Sequence, residues 1–148
     1  MSYQEKRSIM TIITSILITF FYFLYVYRHY LAGNMELLND LKFCGTVILI
    51  MIPVSMVAHI IVYILFNIIY KITTREAIPE KSDELDKLIE LKSTNITHYI
   101  FILGFLLAMG SLVIGKPPYV MLLVLVGSMM VSCILGELAK LCYYRKGV

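Results

Sequence analysis

Two ionisable side chains lie inside long apolar stretches of this sequence. His59 is near the middle of the stretch over residues 43–70, and Glu137 is near the end of the stretch over residues 119–141. Ionisable groups are costly in an apolar medium, so each is a candidate for a functional site. His59 would suit a proton relay or a ligand contact, and Glu137 would suit the coupling carboxylate of a transporter.

A structural role also explains both residues, and we favour it. A neutral His59 imidazole would hydrogen-bond to a hydroxyl or carbonyl group of a neighbouring helix. Glu137 would pair with Lys140, three residues later, near the membrane interface. A lone histidine offers no second ligand, and the three cysteines form no CxxC pair. We therefore predict neither a metal site nor a cofactor.

The densest group of charged residues lies between the second and third apolar stretches. It reads DELDKLIE over residues 83–90 and lacks the glycine and the alternating oxygen ligands of a calcium-binding loop. We expect a capped, solvated helix that would contact a protein partner. The acidic candidates for that contact are Asp83, Glu84, Asp86 and Glu90.

No catalytic motif is recognisable along the chain. The GxSxG, HExxH, P-loop and dinucleotide-binding patterns are all absent from the sequence. We therefore predict that the protein is not an enzyme.

Composition predicts the elements that hold these residues. The chain of 148 residues is 59% hydrophobic and 16% charged, with a mean hydropathy of +0.82, unlike a soluble domain. Backbone amides in a bilayer must satisfy one another, so long apolar stretches cross it as helices. The predicted fold class is an all-α integral membrane four-helix bundle, a single transmembrane domain over residues 1–148. Its helices are expected at about 8–30, 43–70, 97–114 and 119–141.

A hydrophilic segment over residues 71–96 separates the second and third helices. Its amphipathic pattern predicts a short cytoplasmic helix, which would either lie along the membrane surface or run directly into the next span. Ten of the thirteen Lys and Arg residues flank one side of the four spans. The positive-inside rule therefore places this segment and both termini in the cytoplasm, an N-in/C-in arrangement.

Two features within the helices predict their shape and packing. Pro53 predicts a bend near residues 49–53, because proline removes a backbone donor and clashes with the preceding turn. Small residues recur at a spacing of four on the last two helices, where they would mediate helix packing or homodimerisation. They are Gly104, Ala108, Ser111 and Gly115 on the third helix, and Ser128, Ser132 and Gly136 on the fourth.

The acidic segment also has the pattern D-E-x-D-x-x-I-E-x-K. The residues that form it are Asp83, Glu84, Asp86, Ile89, Glu90 and Lys92, followed by Thr97, His98 and Tyr99. In this pattern the chain resembles a group of uncharacterised small bacterial four-span membrane proteins, over about half of its length. The resemblance implies a bacterial plasma-membrane location and no activity.

These features favour a non-enzymatic accessory or regulatory integral membrane protein that acts through helix packing and the cytoplasmic loop. Its partners would be the lipid bilayer, a second copy of the chain, or a cytoplasmic or membrane protein. The net charge of +3 is spread over membrane-flanking segments, so we predict no nucleic-acid binding, which needs a contiguous basic face. Two alternatives stay open: a small oligomeric transporter or channel that uses His59 or Glu137, and a bundle that binds a lipid or small molecule.

Overall fold

The structure is a computed structural model, and it describes residues 3–74 and 84–146. Four long helices account for most of these residues. We number them α1 (Tyr3–Val26), α2 (Leu41–Thr74), α3 (Glu84–Val113) and α4 (Pro118–Lys146). No strand occurs in these residues, and each helix is long and apolar enough to cross a membrane. The predicted all-α fold with four membrane helices is confirmed, and the chain is a multi-pass membrane protein.

The helices are longer than the apolar stretches that predict them. α3 begins at Glu84, although its apolar stretch begins near residue 97. Residues 84–96 of the amphipathic segment thus run directly into the third span, which is one of the two arrangements expected from the sequence. No proline interrupts α3, and lengthening a helix costs far less than nucleating a new one. Hydropathy therefore predicts the part of a helix that lies in the membrane. The helix itself continues beyond that part until a helix-breaking residue ends it.

A glycine ends α3. Gly115 has a φ of 77°, and its N–H donates to the Leu112 carbonyl at 2.9 Å. The Lys116 N–H donates to the Ser111 carbonyl at 3.0 Å, which completes a Schellman ending. Nothing lies within 4 Å of a Cβ atom placed on Gly115, where the chain reverses, and the packing role expected from its spacing stays a prediction. Pro118 then begins α4, where a missing backbone N–H loses no helical bond.

α3 and α4 approach so closely that two glycines have no room for a side chain. A Cβ atom on Gly104 would overlap the Ser128 side chain of α4. A Cβ atom on Gly136 would overlap the Thr97 hydroxyl of α3. Small residues on the two helices thus meet within one chain, and this close approach supplies the packing contacts that membrane helices need.

Two further small residues of these faces are also covered by the chain itself. Ala108 is fully buried and Ser132 is 2% exposed. Within the described residues, the α3 backbone packs only against α4. The small-residue faces are therefore occupied inside the hairpin, and the expected homodimer loses its basis.

α4 is the helix around which the others gather. α3 and α1 pack along it, whereas α2 packs mainly against α1 and less against α4. Within residues 3–74 and 84–146, the backbones of α2 and α3 do not pack against each other. α2 has no buried residue along its length and continues through Pro53 as one helix. The bend at Pro53 stays a prediction.

Replacing Gly104 or Gly136 with alanine should destabilise the hairpin, because the added methyl group requires α3 and α4 to move apart. Overpacking of this kind costs about 1–3 kcal/mol. Thermal unfolding of the purified protein in detergent would measure the loss. Gly110→Ala and Gly127→Ala are matched controls on the same two helices, since nothing lies within 4 Å of the Cβ atoms that they add. Equal losses in the controls would contradict the close approach.

Candidate functional site

Three interhelical hydrogen bonds join α1 to α2. We call the end of the bundle where α1 and α3 begin the inner end, and the opposite end the outer end. The three bonds lie at different depths between these ends. From the inner end outward, the pairs are Tyr3 with the Asn67 amide oxygen at 2.6 Å, Ser15 with His59 Nε2 at 3.0 Å, and Tyr22 with the Val47 carbonyl at 2.6 Å. Because α2 has no buried residue, these bonds are its main specific attachment to α1.

His59 uses both of its ring nitrogens. Nδ1 lies 2.8 Å from the Ser55 carbonyl, one turn earlier in α2. A carbonyl oxygen only accepts, so Nδ1 carries the proton, and Nε2 of the neutral ring accepts from the Ser15 hydroxyl. In this state the half-buried His59 side chain attaches α2 to α1.

Aromatic rings and cations surround the innermost of the three bonds. The Tyr3 ring lies edge-on to the Tyr70 ring with 5.0 Å between centroids. The Arg7 guanidinium carbon lies 4.9 Å from the Tyr63 ring centroid, and the Lys6 ammonium lies 5.3 Å from that of Tyr70. Contacts of a cation with an aromatic face contribute about 0.5–1 kcal/mol each at exposed sites. The inner half of α2 is thus attached by polar and aromatic contacts.

Two adjoining cavities open at the inner end, with volumes of ≈ 290 and ≈ 330 Å³. Both are lined by Thr11, Glu90, Glu137 and Lys140, so we treat them as one polar crevice. Its deeper part reaches His59, and all four helices contribute to its walls. Because the backbones of α2 and α3 do not pack against each other in the described residues, the polar crevice has an open side between them.

The polar crevice carries charges of both signs. Its charged side chains are Arg7, Asp86, Glu90, Glu137 and Lys140. Lys140, whose side chain is 17% exposed, lies 4.0 Å from the Glu90 carboxylate, and the Gln4 amide donates to Asp86 at 3.2 Å. Within the described residues, the Glu137 carboxylate forms no ion pair. Carboxylates therefore outnumber cations in the crevice.

The structure brings the two intramembrane candidates of the sequence together. His59 and Glu137 both line the deeper part of the polar crevice, one from α2 and the other from α4. Lys140 pairs with Glu90 of α3, whereas the sequence suggests Glu137 as its partner. The polar crevice therefore links residues that are far apart in the chain.

The acidic residues before the third span lie beside the other helices. Asp86 and Glu90 line the polar crevice and share a face of α3 with Gly104, because they are separated from it by close to whole helical turns. An unbroken α3 thus carries its α4-facing stripe down to its first turns. Glu84 lies in the first turn of α3, and Asp83 lies outside the described residues.

Ser15, Asn67 and Arg7 are among the residues of the site that the sequence does not single out. A signal for two of them exists. Ser15 follows Thr11 by four positions, and Asn67 follows His59 by eight, which places each pair on one helix face. Polar residues that repeat on one face of an apolar helix indicate that this face forms hydrogen bonds with another helix. Arg7 gives no such signal, because Lys and Arg residues commonly flank membrane spans.

The chemistry of the polar crevice is that of binding. In the part of the chain that the structure describes, no three His, Cys, Asp or Glu side chains come together as metal ligands would. Carboxylates, a guanidinium, an ammonium and hydroxyl groups line the crevice instead. Such a set holds a polar or charged group through hydrogen bonds and ion pairs.

One family model matches the chain. It is described as dolichol-phosphate mannosyltransferase subunit 3 (DPM3), and it matches residues 10–98, which cover most of α1, all of α2 and the first half of α3. Searches of curated proteins and of solved structures find no match.

The family match corrects the resemblance to uncharacterised bacterial proteins, which is wrong. The matching family consists of eukaryotic membrane proteins of the endoplasmic reticulum. The D-E-x-D pattern is a short run of acidic residues at a helix start, where acidic side chains are favoured in unrelated proteins. The pattern is therefore explained by the electrostatics of a helix N-terminus, and it does not require common descent with the bacterial proteins.

Ser15→Ala should lower the free energy of unfolding by about 0.6 kcal/mol, the average for interhelical hydrogen bonds in membranes. His59→Phe removes the other partner of the same hydrogen bond. The double variant Ser15→Ala/His59→Phe should therefore have a free energy of unfolding only slightly lower than that of His59→Phe alone. Unfolding by a denaturing detergent in mixed micelles would measure both. Thr46→Ala is the control, because the exposed Thr46 hydroxyl bonds only a carbonyl of its own helix. Fully additive losses would show that Ser15 and His59 do not interact.

Proposed function

The chain belongs to the dolichol-phosphate mannosyltransferase subunit 3 family, and on that basis we propose that it is a non-catalytic membrane subunit of a dolichol-phosphate mannosyltransferase complex. The family's accessory role supports this proposal, as does the lack of a catalytic motif in the sequence. In this role the chain would hold a catalytic subunit at the membrane.

The observation that carries the proposal is the uncovered surface of α2. The whole of α2 lies within the matched range, yet none of its residues is buried by the rest of the chain. α3 and α4 cover their small-residue faces with each other, so little of that surface is left for a partner. α2 is therefore the helix against which a membrane segment of the catalytic subunit would pack.

The inner end of α2 offers the most specific contact. At 34 residues α2 is roughly 51 Å long, compared with about 30 Å for the hydrocarbon core of a bilayer. Its last turns thus extend toward water, and they carry Ile69 and Ile72, which are 61% and 72% exposed. Apolar side chains outside the hydrocarbon gain free energy when protein covers them. We assign the partner contact to these turns.

The cytoplasmic segment would contact the partner through apolar side chains rather than through the acidic residues that the sequence suggests. Asp86 and Glu90 already form a hydrogen bond and an ion pair inside the chain. Leu88 and Leu91, on the outward side of the same helix, are exposed. We assign the contact of this segment to the two leucines, with Glu84 beside them.

The proposed location follows the family. We place the protein in the endoplasmic reticulum membrane rather than the plasma membrane, with the inner end in the cytoplasm. An ion pair of 3.6 Å between Arg145 and Glu5 joins α4 to α1 at that end, and the Gln4 bond to Asp86 joins α1 to α3 there. Most of the Lys and Arg residues flank this end, which supports a cytoplasmic orientation.

The polar groups are distributed in a way that favours this role over a transporter. At the outer end, α1, α2 and α4 line an apolar pocket that includes Phe23, Val47 and Leu122. The selective sites of ion pathways are lined by carbonyl groups or charged side chains, and this pocket is lined by apolar side chains instead. The polar crevice, with His59 and Glu137, belongs to the inner half of the bundle.

Ile69→Ala/Ile72→Ala should weaken assembly with the catalytic subunit, because it removes apolar area from the proposed contact. Co-expression with that subunit and quantification of the copurified complex would measure the effect. Val113→Ala/Ile114→Ala is the matched control, since these residues are also exposed but lie at the outer end and outside the matched range. Equal recovery of the complex from both variants would place the contact elsewhere.

An impermeant maleimide should reach Cys142 from the cytoplasmic side of sealed microsomes, because this exposed cysteine lies near the inner end of α4. A cysteine introduced as Asn34→Cys, in the outer turn, should react only after the membrane is permeabilised. Labelling of both cysteines from the same side would refute the four-span arrangement, and a reversed pattern would refute the orientation.

A further inference from the structure

The polar crevice is not closed on all sides, and its open side would face the lipid. α1 and α4 pack together, whereas α2 and α3 leave a gap between them in the described residues. The Glu137 carboxylate, which forms no ion pair among the described residues, would then face hydrocarbon unless a polar group fills the gap. Polar groups without partners in an apolar medium cost several kcal/mol each, on the order of 2–7. The crevice therefore needs a polar occupant.

We propose that the polar crevice binds the headgroup of a zwitterionic phospholipid with a primary ammonium group. The acyl chains of this lipid leave through the gap between α2 and α3. Arg7 and Lys140 bind its phosphate, and Glu137 binds its ammonium. The site goes beyond the proposed role as an accessory subunit and does not depend on it.

Charge selects this class of headgroup. Asp86, Glu90 and Glu137 give the crevice three carboxylates, compared with two cations, Arg7 and Lys140. An anionic lipid meets excess negative charge there, whereas a zwitterion satisfies groups of both signs. A primary ammonium also donates hydrogen bonds to the carboxylates, which a trimethylated ammonium does not.

Three charged groups of the crevice are available for such a ligand. Glu137 has no ion pair among the described residues, and the distance of 4.0 Å between Lys140 and Glu90 is long for a pair. Arg7 lies over the Tyr63 ring and has no carboxylate partner in the described part of the chain. The three side chains reach the same cavity from α4 and α1.

The depth and size of the site also fit a headgroup. The mouth of the crevice lies at the inner end of the helices, where the headgroups of one leaflet lie. Its two parts, ≈ 290 and ≈ 330 Å³, are comparable with small-molecule sites, which span about 300–1,000 Å³. A partner helix would fill the gap with apolar side chains and would leave these charges unpaired, so a lipid is the better match.

Native mass spectrometry of the full chain in detergent tests the proposal. Phosphatidylethanolamine, phosphatidylcholine and phosphatidylglycerol with identical dioleoyl chains are added one at a time. Phosphatidylethanolamine should be retained about tenfold more strongly than the others, and Glu137→Gln or Arg7→Ala should remove this difference. Glu36→Gln and Lys71→Ala, which change one charge outside the crevice, should keep it. Free phosphoethanolamine should not displace the lipid at equal concentration.

Several results would overturn the proposal. They are equal retention of the three lipids, preference for phosphatidylglycerol, equal loss in the control variants, displacement by free phosphoethanolamine, and a copurified protein segment that protects the crevice. The experiment uses the chain alone, so failure to assemble with a catalytic subunit would leave its outcome unchanged.

A second measurement needs no substitution in the crevice. Cys133 and Cys142 are both exposed, and Cys133 lines the deeper part of the crevice, whereas Cys142 lies outside it. Phosphatidylethanolamine should slow the reaction of Cys133 with a charged thiol reagent severalfold and leave that of Cys142 unchanged, as measured by peptide mass spectrometry. Equal rates for Cys133 with and without the lipid would contradict occupancy.

Discussion

The attachment of α2 to α1 depends on polar side chains that the bilayer cannot solvate. Lipid chains are as apolar as leucine, so apolar burial gives little force between helices there. Tyr3, Ser15 and Tyr22 each bond a group on α2, at three depths. A hydroxyl without a partner would be costly in this medium, so the three bonds fix the register of the two helices. The same register turns His59 toward α1 and brings it to the wall of the polar crevice.

The α3–α4 hairpin associates by a different physical means. Gly104 and Gly136 let the backbones come so close that dispersion contacts stabilise the pair, and the ion pair between Lys140 and Glu90 adds to them at the inner end. Polar bonds are thus the main link in one pair of helices, and close packing is the main link in the other. Because the two pairs meet mainly through α1 and α4, the chain leaves a gap where a fully packed bundle would close. Glu137 and Lys140 line the polar crevice because of that gap.

The spans are predictable from the sequence because a bilayer accepts few other structures for such apolar stretches. The start of α3 is not, since helix continuity over residues 84–96 depends on the absence of a breaker and not on hydropathy. Spacing identifies Gly104 and Gly115 alike as packing residues, but the φ of 77° at Gly115 appears only in three dimensions. His59 is conspicuous because it is rare in a span. Ser15 is not, because serines in membrane helices often bond their own backbone.

The central position of α4 has a consequence for biogenesis. α4 follows the other three helices in the chain, yet all of them pack against it. While the nascent chain enters the membrane, α1 and α2 precede the helix that later supports them, held together by their own hydrogen bonds. During that interval α1 also lacks its α4 neighbour, so α1 presents a larger surface than it does in the finished bundle. A partner of the kind proposed above would find that larger surface only before α4 inserts.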